Sequence, residues 1–213
     1  MNINIVNDRR LSLKPFLLAW LLIAALFGCL GWADTLEGLK KATGKISSVQ
    51  ADFVQEKHLK ILSKPLISKG VMYYKAPSSL RWEYKAPIQS VLLMQNGHTK
   101  RFQNDGSGYK EESSADMPAM QMVMGQITQW LSGNFGDAAV FSAKMEKGRK
   151  IILTPQKKAF ADIIARIELH LSDTPGMIAA VLIYEGPDAF TRMDFGQTVI
   201  NPDLPDEIFH KVP

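Results

Sequence analysis

A Tyr-Lys-Ala-Pro phrase occurs twice, at Tyr74–Pro77 and Tyr84–Pro87, inside the stretch Ser68–Phe102. Each copy closes a short run rich in aromatic and β-branched residues, which is how antiparallel strands are punctuated. Between the two prolines, Leu80, Trp82 and Tyr84 alternate with Ser79, Arg81 and Glu83. That alternation gives a strand one large apolar face and one charged, wet face. Downstream, Ser90–Gln95 and His98–Gln103 flank Asn96-Gly97, the pair that best tolerates the positive φ angles of a type I′ hairpin. A meander of at least four strands follows.

The chain has 213 residues, and residues 1–33 read as a signal peptide rather than as part of the fold. Arg9, Arg10 and Lys14 form a basic region before the apolar run Pro15–Leu30, and Gly31-Trp32-Ala33 offers small residues to a signal peptidase. Cleavage is expected before Asp34, leaving residues 34–213 as one domain large enough for a real core. Without the leader the charge balance is only slightly basic, and no Arg-rich run or aromatic-basic interleaving points to nucleic acid. The single cysteine, Cys29, lies in the leader, so no disulfide is expected in the exported part. Leu26-Phe27-Gly28-Cys29 also resembles a lipobox, in which Cys29 would be acylated and anchor the protein to a membrane.

After the leader, Asp34 and Thr35 can cap a helix running to about Ile46, with Leu36, Leu39 and Ile46 on one side and Lys40, Lys41 and Lys45 on another. Val49, Ala51 and Phe53 alternate with Gln50, Asp52 and Val54 as a first strand, and Glu56–Lys60 leads into a looser edge. Beyond the opening stretch, Asn104–Gly108 is a turn and Tyr109–Glu112 a short strand. Met117, Met120 and Met124 then share one helical face with Ile127 and Leu131, and Pro118 suits a first turn. Unbranched thioethers fill irregular space and adapt to varied apolar surfaces, but taken alone this face reads first as core. Strands follow at Ala139–Met145, Lys150–Thr154, Ala165–Leu171, Met177–Tyr184 and Ala189–Ile200, with Phe160 in a brief helical turn or loop. The fold class is mainly β with α: a single curved antiparallel sheet of roughly ten strands with helices on one side.

The four histidines, His58, His98, His170 and His210, are scattered and none is spaced for a metal. No nucleophile elbow, phosphate loop or cysteine nucleophile outside the leader is present. His170 and Glu168 share a strand face, where such pairs are usually solvated neighbours. The expectation is a protein without catalysis, metal or cofactor.

Ile46-Ser-Ser-Val-Gln-Ala-Asp-Phe-Val-Gln55, Gly70, the strand ending at Pro77, Leu80-Arg-Trp-Glu-Tyr84, Pro87 and Asn96-Gly97 together resemble the LolA family of periplasmic outer-membrane lipoprotein carriers. The resemblance implies an unclosed β-barrel whose concave apolar face, lidded by helices, holds acyl chains. It implies an acylated lipoprotein or lipid as cargo, an inner-membrane ABC-type lipoprotein-releasing transporter as donor, and an outer-membrane acceptor lipoprotein. A monomer in the periplasm is expected. The cavity is expected to be lined by Val49, Phe53, Met72, Leu80, Trp82, Tyr84, Leu93, Met117, Met120, Met124 and Ile127. Where LolA proteins carry a lid-controlling arginine this chain has Ala76, so either another cation takes that role, with Lys75 or Arg81 as candidates, or the lid is held by packing alone. Phe209–Pro213 stops where the family commonly continues. Both departures suggest a relative that carries another acylated molecule, such as a glycolipid or polyketide-type lipid; an anchored acceptor or a lipid- or protein-sensing half-barrel is the alternative.

Overall fold

The computed structural model describes residues 35–112, 118–135, 140–186 and 188–213, with the backbone alone over 118–124. Residues 1–33, Cys29 among them, and Met117 lie outside these residues, as do the side chains of Met120 and Met124. Eleven strands form one antiparallel sheet: β1 (Ser48–His58), β2 (Leu66–Lys75), β3 (Ser79–Ala86), β4 (Ser90–Gln95), β5 (His98–Asn104), β6 (Tyr109–Glu111), β7 (Phe141–Glu146), β8 (Lys150–Pro155), β9 (Arg166–Leu171), β10 (Ile178–Tyr184) and β11 (Phe190–Ile200). Their order is β6-β5-β4-β3-β2-β1-β11-β10-β9-β8-β7, so β6 and β7 are the edges and the sheet is open. The helices are α1 (Leu36–Thr43), α2 (Pro118–Leu131) and the short α3 (Lys158–Ala161); a 3₁₀ turn (Asp206–Phe209) precedes the C-terminus.

Local chemistry sets these elements as expected at several points. Thr35 caps α1 by accepting a hydrogen bond from the Gly38 N–H at 3.0 Å. Asn96 and Gly97 both have positive φ, 48° and 82°, and Gln95 pairs with His98 across the two-residue turn. Other expectations need correction. α1 ends at Thr43 rather than Ile46. The polar stretch from Glu56 is no loose edge, because β1 continues to His58 and lies between β2 and β11, paired along its whole length.

The sheet curls so that one face becomes concave. Trp82 of β3 and Phe195 of β11 are three strands apart, about 14 Å in a flat sheet, yet their ring centroids are 6.0 Å apart. Gly70 makes room for this crowding on β2: a Cβ there would sit 2.0 Å from the Glu83 carbonyl oxygen and 2.5 Å from Phe53 Cζ. Phe53 fills that space and packs on Trp82 at 4.6 Å and edge-on to Tyr84 at 5.2 Å. The core therefore collects Val49, Ala51, Phe53, Met72, Tyr74, Leu80, Trp82, Leu92 and Met94 with Ile151, Leu153, Leu169, Val181 and Met193 from the other half of the sheet.

Helices α1 and α2 both end against this concave side. Gly133, at φ 80°, turns the chain after α2 where an added Cβ would stand 2.0 Å from Thr43 Oγ1 and 3.2 Å from Lys40 Cα. The end of α1 and the end of α2 are thereby locked together over the sheet.

The convex face is not uniformly wet. The C-terminal segment folds back across β3 and β4, burying Leu204 and Phe209 with Val71, Val91 and Leu93. Arg81 is buried beneath it. Its Nη1 donates to the carbonyls of Ile208 at 2.9 Å and Lys211 at 2.6 Å, and Nη2 meets the Glu83 carboxylate at 2.7 Å. The charged face expected to be open to solvent is thus roofed at Arg81.

Candidate functional site

An apolar cavity lies between the concave face and α2. Its floor is built by Ala51, Met72 and Trp82 from β1–β3, by Met193, Phe195 and Thr198 from β11, and by Met177, Ile178, Val181 and Ile183 at and before β10. Ile127, Trp130 and Leu131, at positions i, i+3 and i+4 of α2, form its roof. Thr198 is solvent-exposed while bordering the cavity, so the hollow reaches the surface beside β11. Counting its mouth, the space not filled by atoms is about 540 Å³, but only about 30 Å³ can seat the centre of a water molecule. That is room for about two waters. The roof rests on the floor, and a larger occupant has to move it.

The roof is held chiefly by its own apolar residues. Ile127 and Trp130 are buried, each contributing roughly 1.5–3 kcal/mol from removal of apolar surface. One polar tie supplements them. Ser132 Oγ donates to the Thr128 carbonyl at 2.8 Å, so at 2.9 Å it accepts from the Tyr74 hydroxyl on β2. Burial pushes the Tyr74 phenol above its ordinary pKa, partly offset by this hydrogen bond. Tyr84 donates to Gln55 Oε1 at 2.8 Å, and burial likewise raises its pKa.

Of the expected lining residues, Met72, Trp82 and Ile127 border the cavity. Val49, Phe53, Leu80 and Tyr84 occupy the same concave face and pack around it without bordering it. Leu93 belongs on the other side: it pairs with Arg81 across β3–β4 and is covered by the C-terminal segment, whereas its neighbours Leu92 and Met94 pair with Trp82 and Leu80. A one-residue difference in phase changes the face. Lys75 and Arg81 are also on that convex side. Lys75 Nζ donates to the Leu204 carbonyl at 3.0 Å and pairs with the Asp206 carboxylate, so both cations fasten the C-terminal segment instead of α2.

The half of the lining contributed by β10 and β11 was not read from the sequence. Ile178–Tyr184 is an unbroken apolar run, which alternation cannot phase, and bulges at Gln50/Asp52 and Ile178/Ala180 shift the parity of the paired strands. The continuous Val91-Leu92-Leu93-Met94 run did carry a signal for the convex cover, because a strand without alternation is buried on both faces.

Among the described residues no charged side chain borders the cavity. Glu168 lies on the convex face among Arg166 at 3.0 Å, His170 at 3.5 Å and Lys150 at 3.7 Å. Burial alone would raise its pKa, but Arg166 and Lys150, with a smaller contribution from His170, hold the carboxyl below its ordinary value. Among the described residues no group of His, Cys, Asp and Glu could hold a metal ion, and no helix is long and apolar enough to cross a membrane.

An open antiparallel sheet with one greasy face under a separate helix, enclosing an apolar hollow, is the build of a protein that holds an apolar ligand. The family model for the outer membrane lipoprotein carrier protein LolA matches residues 44–211, and the chain belongs to that family. An outer-membrane lipoprotein carrier protein of Salmonella paratyphi A is 24% identical over 144 residues, covering 64% of this chain and 70% of that protein. Among solved structures, a DUF1329 family protein from Desulfovibrio piger has a TM-score of 0.49 at 11% identity, over 82% of this chain and 94% of the other. A LolA superfamily protein from Nitrosomonas europaea has a TM-score of 0.41 at 11% identity, over 83% and 98%.

Proposed function

We propose that the protein is a periplasmic carrier, which takes the acyl chains of lipoproteins, or of a related lipid, into the cavity under α2 and moves them from the inner to the outer membrane. In this reading residues 1–33 are a signal peptide, residues 34–213 work as a soluble monomer, and the chain binds without catalysis. The donor is an inner-membrane ABC-type transporter and the receiver an outer-membrane acceptor lipoprotein. The observation that carries the reading is the cavity itself. Twelve of its thirteen lining residues are apolar, and its roof is a separate helix rather than part of the sheet. Withdrawing hydrocarbon from water is worth about 0.8 kcal/mol per CH₂, enough to displace a roof held by a few side chains. Membership of the LolA family supports the same reading.

The test is purification from the native envelope, then lipid extraction and mass spectrometry. Long-chain acyl species should accompany the parent and be lost from Thr198→Arg, which blocks the mouth without burying a charge and should keep parental thermal stability. A parent free of acyl species, with tryptophan fluorescence unmoved by a synthetic lipopeptide, would overturn the carrier. The N-terminus of the same material should be Asp34. A diacylglyceryl Cys29 would instead make the protein an anchored receiver.

A further inference from the structure

The connection between β1 and β2 breaks the usual rule that loop tips are polar. It reads Leu59-Lys-Ile-Leu-Ser-Lys-Pro-Leu-Ile67, and Ile61 is 87% exposed. Leu62, Leu66 and Ile67 are exposed too, the last two at 53% and 50%. Successive strand residues point to opposite faces, so exposure of both Leu66 and Ile67 means that the hairpin stands clear of the covered sheet on both sides. It is nevertheless fixed in place: Lys60 pairs with Asp188 at 2.8 Å, and His58 stacks on Phe190 at 4.2 Å.

The register places this tip at one end of the sheet together with the β3–β4, β8–β9 and β10–β11 connections. Two of those repeat the combination of a bare aliphatic and nearby lysines: Ile88 with Lys85, and Ile163 with Lys157 and Lys158. At the opposite end, the connections Ala76–Ser78, Asn96-Gly97, Lys147–Arg149 and Ser172–Gly176 expose no large apolar side chain. Lys64, Lys69, Lys85 and Lys157 make no ion pair among the described residues, which leaves uncompensated positive charge beside the exposed aliphatics.

We infer that this end of the sheet, led by Ile61 and Leu62, docks on an anionic phospholipid surface. Aliphatic side chains interspersed with lysines suit the boundary between acyl chains and headgroups, where the stems are buried and the ammonium groups meet phosphate. Protein interfaces centre on Trp, Tyr and Arg, and residues 59–67 contain none of them. Neither Ile61 nor Leu62 borders the cavity, so the inference stands apart from the carrier reading.

The experiment is sedimentation with vesicles of phosphatidylethanolamine and phosphatidylglycerol, or of phosphatidylcholine alone, each variant carrying the same N-terminus as its parent. The parent should bind the anionic vesicles more tightly, and binding should weaken as salt is raised. Ile61→Asp/Leu62→Asp should bind them at least about tenfold more weakly. Lys64→Gln and Lys69→Gln should each cost about fivefold on anionic vesicles alone, and Lys147→Gln at the other end should cost nothing. In a separate variant, Ile61→Trp should be quenched by brominated lipid. Equal binding by the parent and the double aspartate variant would overturn the inference, as would absence of quenching. So would a tip that cross-links an envelope protein while vesicle binding is unaffected by its substitution.

Discussion

The Tyr74 hydroxyl stands 2.9 Å from Ser132 Oγ and ties the middle of the sheet to the turn that ends α2. The family resemblance places a lid-controlling arginine two residues further on, where this chain has Ala76. Among the described residues the roof is held by a phenol and by packing, and no cation touches it. Tyr74→Phe should keep the ring in the core and remove the tie, at a cost of about 1 kcal/mol. Hydrogen exchange should show faster opening of α2 amides while the sheet is unchanged; uniform loss of protection would deny the tie any specific part in holding the roof.

Gly70 is the point at which the curl of the sheet is most sensitive to added volume. Gly70→Ala should destabilise by about 2–3 kcal/mol, since its methyl group would meet backbone oxygen and the Phe53 ring together. Denaturant unfolding measures the loss, and near-UV circular dichroism should report the displaced Phe53–Trp82 contact. Parental stability would mean that the ring moves freely.

Arg81 should matter for stability and not for the cavity. Arg81→Met leaves Glu83 without its ion pair and releases two carbonyls of the C-terminal segment, costing about 3 kcal/mol. Limited proteolysis should then cut within residues 202–213. Adding Glu83→Gln should restore part of the stability, and failure to do so would assign the loss to the carbonyl contacts.

Glu168 sets an acid dependence whose sign is fixed by its partners. Its folded-state pKa lies below the ordinary carboxylate value. Its contribution is therefore complete at neutral pH and disappears as pH falls through that lowered value. Glu168→Gln should be less stable than the parent at pH 7, and the two should converge in strong acid. A difference that persists there would point to packing instead of charge.

Local rules made much of the concave face legible. Asn96-Gly97 fixed one hairpin, and the alternation through Leu80, Trp82 and Tyr84, like that through Val49, Ala51 and Phe53, phased two strands correctly. Leu93, Lys75 and Arg81 were placed wrongly for one common reason. Their partners come from residues 204–211, more than a hundred positions away; the unbroken Val91–Met94 run signals that β4 is covered on both faces, but no short-range pattern says which segment returns to cover it. Met193 and Phe195 were missed because they join the concave face by pairing with Gln55 and Phe53 of β1, more than a hundred positions away, a partnership no local pattern announces. The Tyr74–Ser132 contact is equally non-local, joining two residues whose neighbourhoods carry no mutual signal.

In the carrier proposed above, a hollow with room for about two waters would have to admit a chain by wedging and not by diffusion into a waiting hole. Every guest then meets the same initial toll, whatever its length, and only afterwards gains by equal steps per added carbon. A homologous series of straight-chain amphiphiles should accordingly give a straight line of binding free energy against chain length, with a shared unfavourable intercept.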